Sequence, residues 1–280
     1  MTTWPVPPFL LLSAAGHLLA ALAVLREPAA WPWAVSAIVL NHLLVTAIGL
    51  WPRSNWLGDN ITRLPADAAA RGEVALTLDD GPDPVLTPQV LDLLDAAGVR
   101  ATFFVIAQRA VAHPELLRDI VRRGHSVQNH TWRHPHAFSL FGLGRIEHEL
   151  RQAQQALQQL TGQAPTLFRA PAGLRNVLLG PVLHRLGLRL ASWSRRGYDT
   201  RDGDAAQVLA RLTHKLRGGE ILLLHDGHCA QTPAGTPVVL EVLPALIDAV
   251  RARGLRFVHL PDALARTPAR PAVHAPTTQA

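Results

Sequence analysis

The chain has 280 residues, of which 48% are hydrophobic and only 17% charged, more apolar than an average soluble domain and indicative of a membrane component. Its single cysteine, Cys229, excludes an internal disulfide and a zinc–cysteine site. Residues 1–60 hold two Arg, one Glu and one Asp, so the net charge of +6 falls on residues 61–280; such a surface could attract anionic lipid, a phosphate-bearing substrate or nucleic acid, but the basic residues are scattered and match no nucleic-acid motif.

Residues 1–52 carry only Arg26 and Glu27 as formal charges, and Leu10–Leu25 and Ala29–Leu50 are almost unbroken apolar runs. Each, with its flanking Trp and Pro, offers roughly the ~20 residues that a helix needs to cross ~30 Å of hydrocarbon. Trp4, Trp31, Trp33, Trp51 and Trp56 sit near the run ends, where amphipathic aromatics favour the interface. The reading is a transmembrane hairpin over residues 1–52. A cleaved signal peptide expects a basic start, and Met1–Phe9 has no basic residue; a pair of buried core helices is the other alternative. Both ends of a two-span hairpin lie on one side. Arg53 and Arg63 follow the second span and assign that side to the cytoplasm by the positive-inside rule, with Arg26 in the connecting turn opposing them.

Residues 53–71, punctuated by Gly58 and Pro65, read as a linker. A strand and helix alternation follows. Strand-like runs occur at Val74–Leu78, Ala101–Ile106, Ser126–Asn129, Thr166–Phe168, Leu188–Trp193, Ile221–Leu224 and Leu255–Leu260. Between them lie helix-length segments at Pro88–Ala97, Pro114–Arg123, Ile146–Leu160, Val177–Leu186, Asp204–Leu216 and Val238–Arg253. Such alternation implies a parallel sheet with covering helices, doubly wound or closed into a barrel; the length suits a distorted (β/α)7 barrel over residues 72–262. Gly98, Gly124, Gly187 and Gly254 each end a helical stretch, as a C-cap glycine should. Residues 263–280, rich in Pro, Ala and Thr, are expected to be a disordered tail.

In parallel α/β folds ligands bind at the carboxyl ends of the strands. Asp79 and Asp80 end the first strand in "TLDDGPDP", and His130 and His134 follow the third in "GHSVQNHTWRHP". Arg169 ends the fourth in "FRAPAG", Asp199 follows the fifth in "SWSRRGYDT", and His225 ends the sixth in "ILLLHDGH". One carboxylate and two imidazoles with open positions are a recurrent catalytic metal arrangement. The four-residue spacing of His130 and His134 would place both on one face of a helix. Taken singly, each motif has a plainer reading, as a surface turn, a surface Arg or a strand-capping His. Their shared rim raises them above it. His125, at a strand start, and His136, beyond Pro135, are set aside as ligands.

Residues 72 to about 262 resemble a polysaccharide deacetylase domain of the NodB-homology type, carbohydrate esterase family 4, with five motifs in order. The resemblance implies that Asp79 is the general base and that Asp80, His130 and His134 hold one divalent metal ion, usually Zn2+ and sometimes Co2+. It further implies that Arg169 orients Asp79, that His225 is the general acid, and that Asp199 holds His225. The backbone N–H of Ala172 would face the oxyanion, with Leu223 and Thr200 near the acyl group. The family usually has an aromatic where Ala172 stands, a Trp where Thr200 stands and often an Asp where Arg196 stands. Loss of that Trp opens acyl specificity.

The expected function is therefore removal of an N-acetyl group from an amino sugar, membrane-proximal or lipid-linked, by a domain held at a bacterial inner membrane. The alternatives are an O-deacetylase or deformylase on the same fold, and a non-catalytic glycan-binding membrane module.

Overall fold

The computed structural model describes residues 3–266. Helices α1 (Pro8–Arg26) and α2 (Trp31–Gly49) open the chain, joined by a 3-10 turn at Pro28–Ala30. Each carries Pro in its first turn, where the missing N–H has no intrahelical partner to lose. They pack as a hairpin, with Asn41 Nδ2 donating to Ser13 Oγ at 2.8 Å. Both are long and apolar enough to cross a membrane. No residue of α1 is buried, and in α2 only Ile48 and Gly49 are, so these are not the core helices weighed above. Leu11, Leu12, Leu18, Leu19 and Leu25 on α1, and Val35, Val39, Leu40 and Leu43 on α2, all face outward. Each would gain about 1.5–3 kcal/mol on leaving water.

Residues 53–71 differ from the expected linker. Ile61 bridges to Ala191, its N–H donates to Leu190 O at 2.9 Å, and Leu64 N–H donates to Gly219 O at 2.9 Å. Leu57, Leu64 and Ala68 are buried, the last on a short helix α3 (Ala66–Ala70). Backbone pairing rather than apolar periodicity holds this segment to the sheet, and composition gives no sign of that.

Eight parallel strands follow: β1 (Glu73–Asp79), β2 (Thr102–Val105), β3 (Ser126–Asn129), β4 (Leu167–Phe168), β5 (Arg189–Leu190), β6 (Arg195–Arg196), β7 (Ile221–His225) and β8 (Arg256–Phe257). Their order is β5-β4-β3-β2-β1-β7-β6, with β8 also pairing to β1. The covering helices are α4 (Leu86–Ala96), α5 (Ala107–Ala112), α6 (Pro114–Arg122), α7 (Leu143–Thr161), α8 (Leu179–Leu186), α9 (Ala205–Thr213), α10 (Val238–Arg251) and α11 (Leu260–Ala265). This is the distorted NodB-like barrel expected, an incomplete one in which β5 and β6 end the order. The single run Leu188–Trp193 divides into β5, the Ala191 bridge and a turn toward β6. Residues 263–265 belong to α11, where Ala263 is buried, while the rest of the expected tail from residue 267 lies outside the described residues.

The pleat of β1 sorts the core into two. Val74, Leu76 and Leu78 pack outward against α4 and α10, joining the cluster of Val90, Leu94, Leu243 and Ile247. Ala75 faces the barrel interior with Phe104, Trp193 and Leu223. Thr77 and Asp79, in phase with Ala75, therefore also point inward, and Asp79 arrives at the mouth of the barrel.

Candidate active site

Strand register assembles the rim. Asp79 lies beside His225 across the β1–β7 pair, and Asn129 lies beside Phe168 across β3–β4, so His130 and Arg169, one residue further on, become neighbours. All the charged residues singled out at the rim from the sequence converge there.

Asp80 would point away from Asp79 in a continuing strand. Instead its φ is +73°, which swings the carboxylate back over the barrel mouth. The following turn needs glycine: a Cβ at Gly81 would lie 2.2 Å from Asp226 Oδ2. Arg109 fixes the same turn, donating from Nη1 to Asp80 O at 2.9 Å and to Gly227 O at 2.7 Å.

His130 and His134 do not share a helix face, contrary to the spacing argument. They lie in a loop after β3, in which Thr131 and His134 both adopt left-handed backbone, φ +68° and +54°. Side chains hold the loop. Thr131 N–H donates to Asn129 Oδ1 at 2.9 Å, His134 N–H to Thr131 Oγ1 at 2.8 Å, and the Trp132 and Arg133 N–H groups both to Glu149 Oε2 at 3.1 Å. The outcome is what a helix would have achieved: both imidazole Nε2 atoms stand 3.3 Å from Asp80 Oδ1.

The donors of these three residues all lie within 4.8 Å of one another. His130 Nδ1 is 2.7 Å from Arg169 O; a carbonyl only accepts, so Nδ1 carries the proton and Nε2 presents its lone pair. Burial and the adjacent His130 push His134 down to about 4, leaving it neutral near neutral pH. Burial opposes ionisation of Asp80, but the imidazoles of His130 and His134 packed beside it outweigh that and hold the carboxyl below its usual range. Asp80 Oδ1 is buried with no hydrogen-bond partner among the described residues. A buried anionic oxygen facing two imidazole lone pairs fits a divalent cation with mixed nitrogen and oxygen preference.

The second half of the rim consists of two buried ion pairs. Arg169 is fully buried; its Nη1 donates to Asp79 Oδ1 at 2.6 Å and to Thr77 Oγ1 at 2.9 Å, and its Nε and Nη2 donate to Ala191 O and Ser192 O. Its guanidinium lies 3.9 Å from the centroid of Phe104. Burial pulls the Arg169 pKa down, yet Asp79 beside it supports the cationic form. His225 Nδ1 is 2.9 Å from Asp199 Oδ1, and the His225 N–H donates to Asp199 Oδ2 at 2.7 Å. Burial alone would lower His225, but the charge and hydrogen bond of Asp199, with Asp79 and Asp80 behind them, raise it above 6.5.

Ala172 lies in a 3-10 turn, Pro171–Gly173, with φ +53°. Leu223 is buried within the interior cluster, on the same face of β7 as His225, and Thr200 is half-buried next to Asp199. Sequence reasoning missed Glu149, Arg109 and Asp226. Asp226 accepts from Thr87 Oγ1 at 2.6 Å and braces the Asp80 turn; burial pushes its carboxyl up to about 7. Its place directly after His225 was the available signal.

Residues 66–191 match the family model described as polysaccharide deacetylase. The chain is 33% identical over 202 residues to a chitooligosaccharide deacetylase of Azorhizobium caulinodans, covering 68% of this chain and 94% of that one. It is 32% identical to a peptidoglycan-N-acetylglucosamine deacetylase of Bacillus cereus, over 68% and 87% of the two chains. Among solved structures, a peptidoglycan N-acetylglucosamine deacetylase in complex with an N-oxidanyl-benzamide superposes with a TM-score of 0.65 at 27% identity, over 75% of this chain and 95% of that one.

Proposed function

The chain belongs to the polysaccharide deacetylase family and is a carbohydrate deacetylase, and on that premise we propose that it removes the N-acetyl group of an amino sugar presented at a membrane surface, with a divalent metal ion held by Asp80, His130 and His134. The observation that carries this reading is the convergence of those three donors with the Asp79–Arg169 and Asp199–His225 pairs on one rim. A divalent ion such as Zn2+ supplies Lewis acidity there when bound, polarising the acetamide carbonyl and acidifying water.

The chain's own groups do the rest. Asp79, fixed by Arg169, takes the proton of the attacking water as the new C–O bond forms. The backbone N–H of Ala172 receives the developing oxyanion. His225, kept protonated by Asp199, delivers a proton to the sugar nitrogen as the C–N bond breaks, because an amine leaves poorly as an anion. The products are acetate and a free amino sugar. Thr200, where the family resemblance implies a Trp, leaves room beside the acyl group, so formyl or longer acyl groups belong in the substrate test.

Membrane proximity is supported by how α2 ends. Arg175 N–H donates to Gly49 O at 3.0 Å, and Pro52 O accepts from Ser192 Oγ at 2.8 Å. A Cβ on Gly173 would lie 2.6 Å from the Pro52 Cβ, so the turn carrying Ala172 is packed on the end of the hairpin. The two apolar helices then hold the rim near the bilayer as an anchor, with Arg53 and Arg63 assigning that side to the cytoplasm. An active periplasmic phosphatase reporter fused to the C-terminus would overturn the sidedness.

The deciding experiment is metal analysis with acyl release from the purified full chain. Acetylated, formylated and lipid-linked amino sugars are offered, with Asp79→Asn and His130→Ala as controls. The expected result is stoichiometric metal and acetate release in the wild type, acetate release lost in both variants, and metal lost only in His130→Ala. Absence of both metal and acyl release in the wild type sinks the proposal.

A further inference from the structure

A cavity of 620 Å³ lies where the hairpin meets the barrel, and none of its lining residues belongs to the metal or proton-transfer groups. Trp4 and its neighbours, which lead into α1, form one wall; Leu57 and Asp59, which follow α2, form another; Leu183 of α8 and Arg189 of β5 lie behind. The volume is that of a small-molecule site rather than a packing gap.

Arg175 lines it and is only 5% exposed. Its Nη2 donates to Ser54 O at 2.5 Å, but its Nε is buried with no partner among the described residues. Burial lowers its pKa to about 10, no acidic group enters the balance, and the side chain remains a cation at neutral pH. Arg169, as deeply buried, has Asp79 at 2.6 Å, and the buried Glu73 and Glu220 each meet arginines. A guanidinium removed from water without a counter-charge is costly, and its planar fork of donors matches phosphate oxygens.

The geometry points to a site for the phosphate group of a membrane-lipid headgroup, held by Arg175 inside this cavity. Two further observations select a lipid over a free anion. The cavity lies at the end of the hairpin where α1 begins at Pro8 and α2 finishes at Gly49, which is headgroup depth for a two-span hairpin. Its walls also combine apolar groups, Trp4, Leu57 and Leu183, with the basic pair Arg175 and Arg189 against the single acid Asp59.

The inference rests on the membrane placement proposed above, which recovery of the wild-type protein in the membrane fraction tests separately. It does not rest on the chemistry, so Asp80→Asn should lose deacetylation and keep the lipid. The full chain, purified in a maltoside detergent free of phosphate, is titrated with dioctanoyl phosphatidylglycerol, with dioctanoylglycerol and with inorganic phosphate, and binding is read by native mass spectrometry. One phosphatidylglycerol should be retained per chain, with the diacylglycerol and inorganic phosphate each at least tenfold weaker. Arg175→Gln should weaken lipid retention at least tenfold. The exposed Arg189→Glu, which leaves the core intact, should weaken it severalfold even if Arg175→Gln folds poorly. Equal retention by wild type and both variants overturns the site. Binding of diacylglycerol or inorganic phosphate as tight as that of phosphatidylglycerol overturns its assignment to a lipid phosphate.

Discussion

The two halves of the rim are built in opposite ways. On one side Asp80, His130 and His134 stand on loops with left-handed backbone, and their inward atoms are a carboxylate oxygen without a hydrogen-bond partner and two imidazole nitrogens 3.3 Å away. On the other side Asp79 and His225 sit on strand ends, each already joined to a partner, Arg169 at 2.6 Å and Asp199 at 2.9 Å. On the proposed reading, the first half is completed by a cation, and the second, already paired within the protein, moves protons. Substitutions should therefore separate metal content from pH behaviour.

The largest effect is expected for Asp80→Asn and His130→Ala. Each removes one of three donors, so both metal content and deacetylation should collapse, activity by about a thousandfold or more, the scale of several kcal/mol of lost transition-state stabilisation. A strong chelator should do the same to the wild type, and added Zn2+ should restore only the wild type. Undiminished activity in metal-stripped protein would break the division between the halves.

Arg169→Met should come next, and it acts on the fold as well as on catalysis. It leaves Asp79 buried without its counter-charge, a loss on the order of 3–5 kcal/mol for breaking a buried pair. Thermal unfolding should show a clear drop in Tm, while the folded fraction keeps its metal. Loss of metal in that fraction would show that the halves are coupled through the Arg169 carbonyl that holds His130.

Asp199→Asn tests the proton half by its pH profile. In its proposed role His225 acts when protonated, and its pKa is raised because Asp199 overcomes the opposing effect of burial. The alkaline limb of the wild type should therefore lie above the ordinary imidazole range. Without the Asp199 charge, burial prevails, and the alkaline limb of kcat/KM should move to lower pH with metal content unchanged. An unmoved limb would remove His225 from the role of acid.

The same contrast explains what could be read from the sequence. Parallel strands buried on both faces appear as apolar runs, and their last residues must lie at one rim, so Asp79, Asp80, Arg169 and His225 could be placed by counting. Loop geometry could not be read in this way. The residues that turn the His130–His134 segment are Thr131 and His134 rather than glycines, and the segment's conformation is set by backbone N–H groups donating to Asn129 Oδ1 and Glu149 Oε2. Ile61 and Arg175 were invisible for a related reason: backbone pairing to Ala191 and Gly49 puts them in place, and such pairing leaves no periodic trace. The hairpin is the opposite case. Its apolar runs needed no partner to be recognised, and the helices begin and end within a few residues of them.

Glu149→Gln should give the smallest of these effects and the sharpest test of how the metal half is held. Glu149 touches no proposed ligand; its Oε2 accepts from the Trp132 and Arg133 N–H groups, 17 and 16 residues away in sequence, and so fixes the turn between the two histidines. Glutamine keeps one carbonyl acceptor of the same reach but loses the charge that strengthens both bonds. The loop should remain folded with looser ligand geometry, which for groups behind a metal site amounts to roughly a ten- to hundredfold loss of metal affinity. At saturating metal, kcat should return close to wild type, because Asp79 and His225 are untouched. A metal titration of activity measures both quantities together. Unchanged affinity would mean that the backbone of Thr131 and His134 holds the loop unaided; a kcat that stays low at saturating metal would mean that the two halves of the rim are not independent.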